Sequence, residues 1–184
     1  MRALASIGGA DALAAVKTAT SDQDEAVQDE AVGLLCSWPN TWPEDAGVAE
    51  PLLALAQSGK KLSHQIQGAR GYLHYVQEDK KLTPTEKLAK VNALLPLLKR
   101  PEEKRLAIAV VSAFPTGGAL ELLMTFADDP ALAEEACLAI VKIAAGADLK
   151  DAAKALRQKA LQTVLDKSKN DSTRSKAQEA LNKT

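Results

Sequence analysis

Few side chains in this sequence are of types that carry chemistry, and their spacing limits what they can do. The two histidines, His64 and His74, lie in one amphipathic segment. Ten helical positions leave them about 80° apart around the axis, so they do not share a face. His74 and Glu78 stand at i and i+4, a spacing that offers a metal two ligands where catalytic zinc needs three and structural zinc four. No metal centre is expected. Cys36 and Cys137 each sit in an apolar segment with no histidine nearby in sequence, so they read as small buried hydrophobes rather than nucleophiles, and no disulfide is expected. The chain has no P-loop, Rossmann glycine fingerprint, His-Glu-x-x-His or Gly-x-Ser-x-Gly. These residues predict a protein without catalytic residues, cofactor or metal.

Binding is a better use of what remains. The loop Ser37-Trp-Pro-Asn-Thr-Trp-Pro-Glu44 holds both tryptophans. Trp38 is expected to pack beneath the loop and set the angle between neighbouring elements. Trp42 is open to two roles, packing or stacking on a sugar or peptide. Tyr72 and Tyr75 follow about one repeat later. The basic stretches Lys60-Lys61, Lys80-Lys81 and Lys99-Arg100 with Lys104-Arg105 fall at helix boundaries. They offer a second hypothesis, an anion- or nucleic-acid-binding edge, although the helix dipole also draws Lys and Arg to helix C-termini. The candidate partner-binding residues are therefore Trp42, Arg70, Tyr72, His74, Lys104 and Arg105.

Charge weighs against nucleic acid. The formal net charge is −1, but it is unevenly placed: residues 1–59 carry two basic and nine acidic side chains, and residues 60–184 carry 21 and 15. An acidic first third fits a phosphate groove poorly. No apolar run approaches the roughly 18–20 residues that span a bilayer, and the opening Met-Arg-Ala-Leu-Ala-Ser-Ile-Gly-Gly has no signal-peptide core. The compartment is not readable from these features. Leu4 and Ile7, followed by Gly8-Gly9, look like the end of a helix whose beginning is missing, so an excised piece of a longer protein is expected, as a monomer.

The elements that must position these residues are helices. Aromatics make up 3% of the chain, and Ala, Leu, Lys and Glu dominate, side chains that lose little rotamer freedom in a helix. The pattern Ala-x-x-φ-φ, with φ apolar, recurs at Ala31, Ala69, Ala107, Ala136 and Ala177. A preceding segment opens near Gly9, Ala46, Thr83, Gly117 and Asp151. Two helices per period of about 30–40 residues mark a helical solenoid. The approximate repeats are 1–38, 39–78, 79–115, 116–147 and 148–184, within a single domain 1–184. Ser21 or Asp22 is expected to cap the helix over 22–37, and Pro39 and Pro43 to forbid its continuation. Pro96 is expected to kink the end of 83–100. Over 151–169 the apolar stripe reads Ala155, Leu156, Leu161, Val164 and Leu165. The second helices, near 24–36, 62–77, 102–113, 131–145 and 172–182, are expected to form the binding face.

The segments Ala31-Val-Gly-Leu-Leu-Cys-Ser-Trp-Pro39, Gln67-Gly-Ala-Arg-Gly-Tyr-Leu73, Arg100-Pro-Glu-Glu-Lys-Arg-Leu-Ala107 and Asp129-Pro-Ala-Leu-Ala-Glu-Glu-Ala136 resemble HEAT repeats, in particular bacterial HEAT-repeat modules of larger multidomain proteins. The resemblance spans nearly the whole chain. It implies an all-α, right-handed α-α superhelix of the HEAT and armadillo type, with about five antiparallel helix pairs, serving as a scaffold for an unknown protein partner. One departure is that Glu25-Ala-Val-Gln28 stands where the family has Asp-x-Val-Arg, which argues against an inter-repeat Asp–Arg ladder at the N-terminal end.

Overall fold

A computed structural model describes residues 1–146, 149 and 154–183. Among them are eleven α-helices, two short 3-10 turns and no strand. In chain order the helices are α1 (Arg2–Ile7), α2 (Ala10–Ala19), α3 (Glu25–Thr41), α4 (Ala49–Ser58), α5 (Leu62–Glu78), α6 (Pro84–Leu94), α7 (Pro101–Val111), α8 (Gly117–Ala127), α9 (Ala133–Ala144), α10 (Lys154–Lys167) and α11 (Asp171–Lys183). The expected second helices are α3, α5, α7, α9 and α11. Of the expected first-helix starts, Asp151 lies outside the described residues.

Close contacts gather the chain into two compact units, Met1–Thr83 with Asn92–Leu98, and Pro84–Val91 with Lys99–Thr184. In the first, α2 packs on α3, α4 on α5, and α3 on α5, with α1 against α2 and α3. In the second, α8 packs on α9 and α10 on α11. There the helices also stack in two rows, α8 on α10, and α7 on α9 on α11. The short links between α4 and α5 and between α10 and α11 make each pair antiparallel neighbours. No pair could bury its apolar stripe alone, so each unit is held by pairs covering one another.

The buried positions follow the helical period. Ala31, Val32 and Leu35 of α3, Ala69, Leu73 and Val76 of α5, and Ala136, Ile140 and Ile143 of α9 are all buried, at spacings that place them on one face. Close approach depends on small residues. A Cβ on Gly68 would sit 2.7 Å from the Ala56 backbone nitrogen, and one on Gly71 would sit 3.1 Å from the Cα of Cys36. These two glycines let α5 lie directly on the backbones of α4 and α3.

Several local expectations need correction. Pro39 does not end α3, which runs on to Thr41. Proline removes one hydrogen bond of the last turn, but Trp38 and Pro39 are both buried there, and the Trp42 N–H closes the end on the Trp38 carbonyl. The α3 cap is Asp24, which accepts from the N–H groups of Ala26 and Val27, not Ser21 or Asp22. Asp22 instead accepts the Asp24 N–H through its side chain, and its carbonyl takes the Gln28 amide. This folds 22–24 into a turn that delivers Asp24 to the helix start. Pro96 lies in a 3-10 turn, Leu95–Leu97, that succeeds α6. In α10 the buried residues are Ala160, Leu161 and Val164, whereas Ala155 is exposed.

Two substitution experiments test this packing. Ala107 is fully buried, so Ala107→Glu forces a charge into the core and should cost about 4 kcal/mol or more. The melting transition should vanish or fall steeply, and an unchanged melting curve contradicts the assigned stripe. At glycines the sign should split. Gly33, with no atom within 4 Å of an added Cβ, should gain about 0.5–1 kcal/mol on change to Ala. Gly68→Ala should instead lose about 1–3 kcal/mol to overpacking against backbone, as read by chemical denaturation.

Candidate functional site

Polar links between helices recur at one repeat's spacing. In the first unit, Asp29 of α3 accepts from Lys61 Nζ at 2.9 and 3.0 Å and lies 2.6 Å from His64 Nε2. Lys61 directly precedes α5 and also pairs with Glu25 at 3.3 Å. The Lys61 hydrogen bond, then that of His64, holds the Asp29 carboxyl below its usual range. In the second unit, Glu134 of α9 accepts the Lys169 N–H at 2.6 Å and the Ser168 hydroxyl at 2.7 Å. Those residues lead into α11, and their bonds, the backbone one first, hold Glu134 below the usual carboxylate range. Arg105 of α7 donates to Glu135 at 2.7 Å and to the Ala131 carbonyl at 2.6 Å. The sequence separations are 35 for Asp29–His64, 34 for Glu134–Ser168 and 30 for Arg105–Glu135. In the Asp29 and Glu134 links a carboxylate of the earlier helix grips the start of the later one, whereas in the third Arg105 of the earlier helix holds Glu135 of the later.

The six candidate partner-binding residues are dispersed. Trp42 is half-buried; its indole N–H donates to the Ala5 carbonyl at 2.9 Å and its ring fills the space beside Gly8, where φ is +72°. It clamps α1 to the loop after α3. Trp38 is buried as expected, donating to Asp45 Oδ2 at 2.9 Å, while the other Asp45 oxygen takes the Gly47 N–H at 3.0 Å. Tyr72 is 4% exposed and lies with Tyr75, ring centroids 6.1 Å apart, so it offers little surface to a partner. His74 is half-buried and Arg70 exposed on α5. Lys104 lies 3.8 Å from Asp129, and Arg105 is engaged as above. Four of the six belong to the first unit and two to the second.

The basic stretches flagged in the sequence are largely neutralised. Lys61 pairs with Asp29 and Glu25, Lys81 with Glu44 at 3.2 Å, and Arg100 with Glu102 at 3.2 Å. Burial pushes the Cys36 thiol up to about 12. Cys137 is pushed to about 11, chiefly by burial and then by Glu134. Both cysteines are free thiols that stay protonated at neutral pH and are poor nucleophiles. Among the described residues no three His, Cys, Asp or Glu side chains are grouped to hold a metal ion, and no helix is long and apolar enough to cross a membrane.

The sequence did not single out one surface of the second unit. Leu138, 55% exposed, is three residues after Glu135 and four before Lys142, so the three share a face of α9. Ala109, also exposed, stands in the same way between Arg105 and Ser112 on α7. Arg105–Glu135 closes one end of this strip, and Lys142 Nζ, 3.5 Å from the Ser112 hydroxyl, closes the other. A small apolar spot is thereby fixed between two polar links. No protein-family model matches the chain, and neither any curated protein nor any solved structure is significantly similar to it.

The Glu134 link makes a pH-dependent prediction. Its folded-state pKa is depressed, so its contribution is complete above the unfolded carboxylate pKa and is lost as pH falls through the lower folded value. At pH 7, Glu134→Gln should cost about 1 kcal/mol, a figure already discounted for solvent exposure. In urea titrations the gap between wild type and variant should close as the pH drops below about 4. An equal gap at both pH values would assign the loss to packing instead.

Proposed function

We propose that this chain is a non-catalytic protein-binding scaffold built of HEAT-like repeats, a right-handed α-α superhelix of about five antiparallel helix pairs. The observation that supports it best is the set of links one repeat apart, Asp29 to Lys61 and His64, Arg105 to Glu135, and Glu134 to Ser168 and Lys169. Equivalent helix starts bound to one another are what stacked repeats produce, and stacked repeats present extended faces suited to protein partners. The strip around Leu138 and Ala109 is the face with fixed polar borders around an apolar centre, the arrangement of a small interaction surface. The alternative, an anion- or nucleic-acid-binding edge through Lys60-Lys61, Lys80-Lys81, Lys99-Arg100 and Lys104-Arg105, is weakened because Lys61, Lys81, Arg100, Lys104 and Arg105 already have carboxylate partners.

The test is capture from lysate, with and without nuclease treatment, on the immobilised chain at about 0.15 and about 0.5 M salt, beside an Ala109→Glu/Leu138→Glu variant. A discrete protein should be held by the wild type at both salt levels and lost from the variant, while both chains melt at the same temperature. Recovery of nucleic acid alone, or of proteins that disappear after nuclease, replaces this reading with the nucleic-acid one.

A further inference from the structure

The second unit contains an open cavity of about 750 Å³ at the end of α9, between α10 and α11. Its rim carries Lys142, Lys154, Arg157, Lys176 and Lys183 against the single carboxylate of Glu179, among the described residues. Part of its wall is apolar, from Val141, Ala144 and Ala180. We propose that this cavity is a binding site for a compact organic polyanion, a small molecule carrying two or more phosphate groups.

Three observations converge on that ligand. First, the described residues supply these cations with few carboxylates. Several cations elsewhere in the described structure reach carboxylates, as in Lys17–Glu50, Lys61–Asp29, Arg105–Glu135 and Lys167–Asp128. Among the described residues no ion pair involves Lys154, Arg157, Lys176 or Lys183, and Lys142 reaches only the Ser112 hydroxyl. Like charges lining a concave, partly apolar wall raise the local potential and draw a counter-anion. Second, Arg157 is half-buried with no carboxylate partner among the described residues, and its planar fork matches phosphate oxygens two at a time. Lys142 and Lys183, in the last turns of their helices, are favoured by the helix dipole.

Third, the charge is confined. The cavity on another side of α10 mixes Lys159 and Lys167 with Glu121, Asp128 and Asp166, and Lys167 is held by Asp128 at 2.7 Å. A long polymer needs a continuous track of cations; a single cavity of this volume fits a small molecule. The site is independent of the protein-scaffold reading and uses none of the residues of the Leu138 strip except Lys142 at its border.

The test is calorimetric titration of the whole chain with inorganic tripolyphosphate, orthophosphate and single-stranded oligonucleotides of increasing length, at low salt. Tripolyphosphate should bind saturably, more tightly than orthophosphate, and raise the melting temperature. Arg157→Gln/Lys176→Gln should weaken it at least about tenfold, while Lys60→Gln/Lys80→Gln in the first unit should leave it unchanged. Glutamine is a good helix former, and the two single substitutions serve if the double variant melts early. Absence of saturable tripolyphosphate binding, or equal binding by both double variants, overturns the site. Affinity for oligonucleotides that keeps rising with length and exceeds that for tripolyphosphate overturns the compact ligand in favour of a polymer.

Discussion

A helix pair with one apolar stripe has no stable existence alone, and everything else in this molecule answers to that constraint. Within each unit the stripe is covered by neighbouring helices, and covering it brings the start of α5 beside α3 and the start of α11 beside α9. Unsatisfied backbone and side-chain groups collect at such helix starts. Asp29 and Glu134 meet that need from the preceding helix, the first through Lys61 and His64 and the second through Ser168 and the Lys169 N–H. Burial fixes which faces meet, and the carboxylates fix the register in which they do so. Within the second unit the same register lines up α7 and α9 and leaves Leu138 framed by polar neighbours.

The helices were legible in the sequence because their signals are local. The apolar period gave the second helices nearly end to end, and Gly117 opens α8 as expected. Trp38 could be placed beneath its loop because a large ring flanked by proline has few other places to go, and it is buried. The errors have an equally physical source. The missing N–H of Pro39 points to a helix end, whereas burial of Trp38 and Pro39 holds the last turn together. The α3 cap was misplaced by two or three residues because Ser21, Asp22 and Asp24 are chemically equivalent until the turn at 22–24 is known.

The site was less legible, since its features arise from pairing between distant residues. Lys104 and Arg105 look in sequence like a basic patch, and the folded chain sets them against Asp129 and Glu135. Tyr72 looks like a binding aromatic and is buried. Conversely, Lys142, Arg157 and Lys176 lie on three different helices and form no run in the sequence. Only folding brings them to one rim. The general excess of basic residues after position 60 was visible, but which of those charges would meet a carboxylate depended on tertiary contacts.

The two cysteines acquire a use from their positions. Cys36 belongs to the first unit and Cys137 to the second; Cys36 is half-buried and Cys137 buried, and desolvation keeps both thiols protonated. A thiol in that condition reacts with an alkylating reagent chiefly when its surroundings open. The chain therefore carries one built-in clock per unit, and the two modification rates report separately how often each half of the molecule breathes.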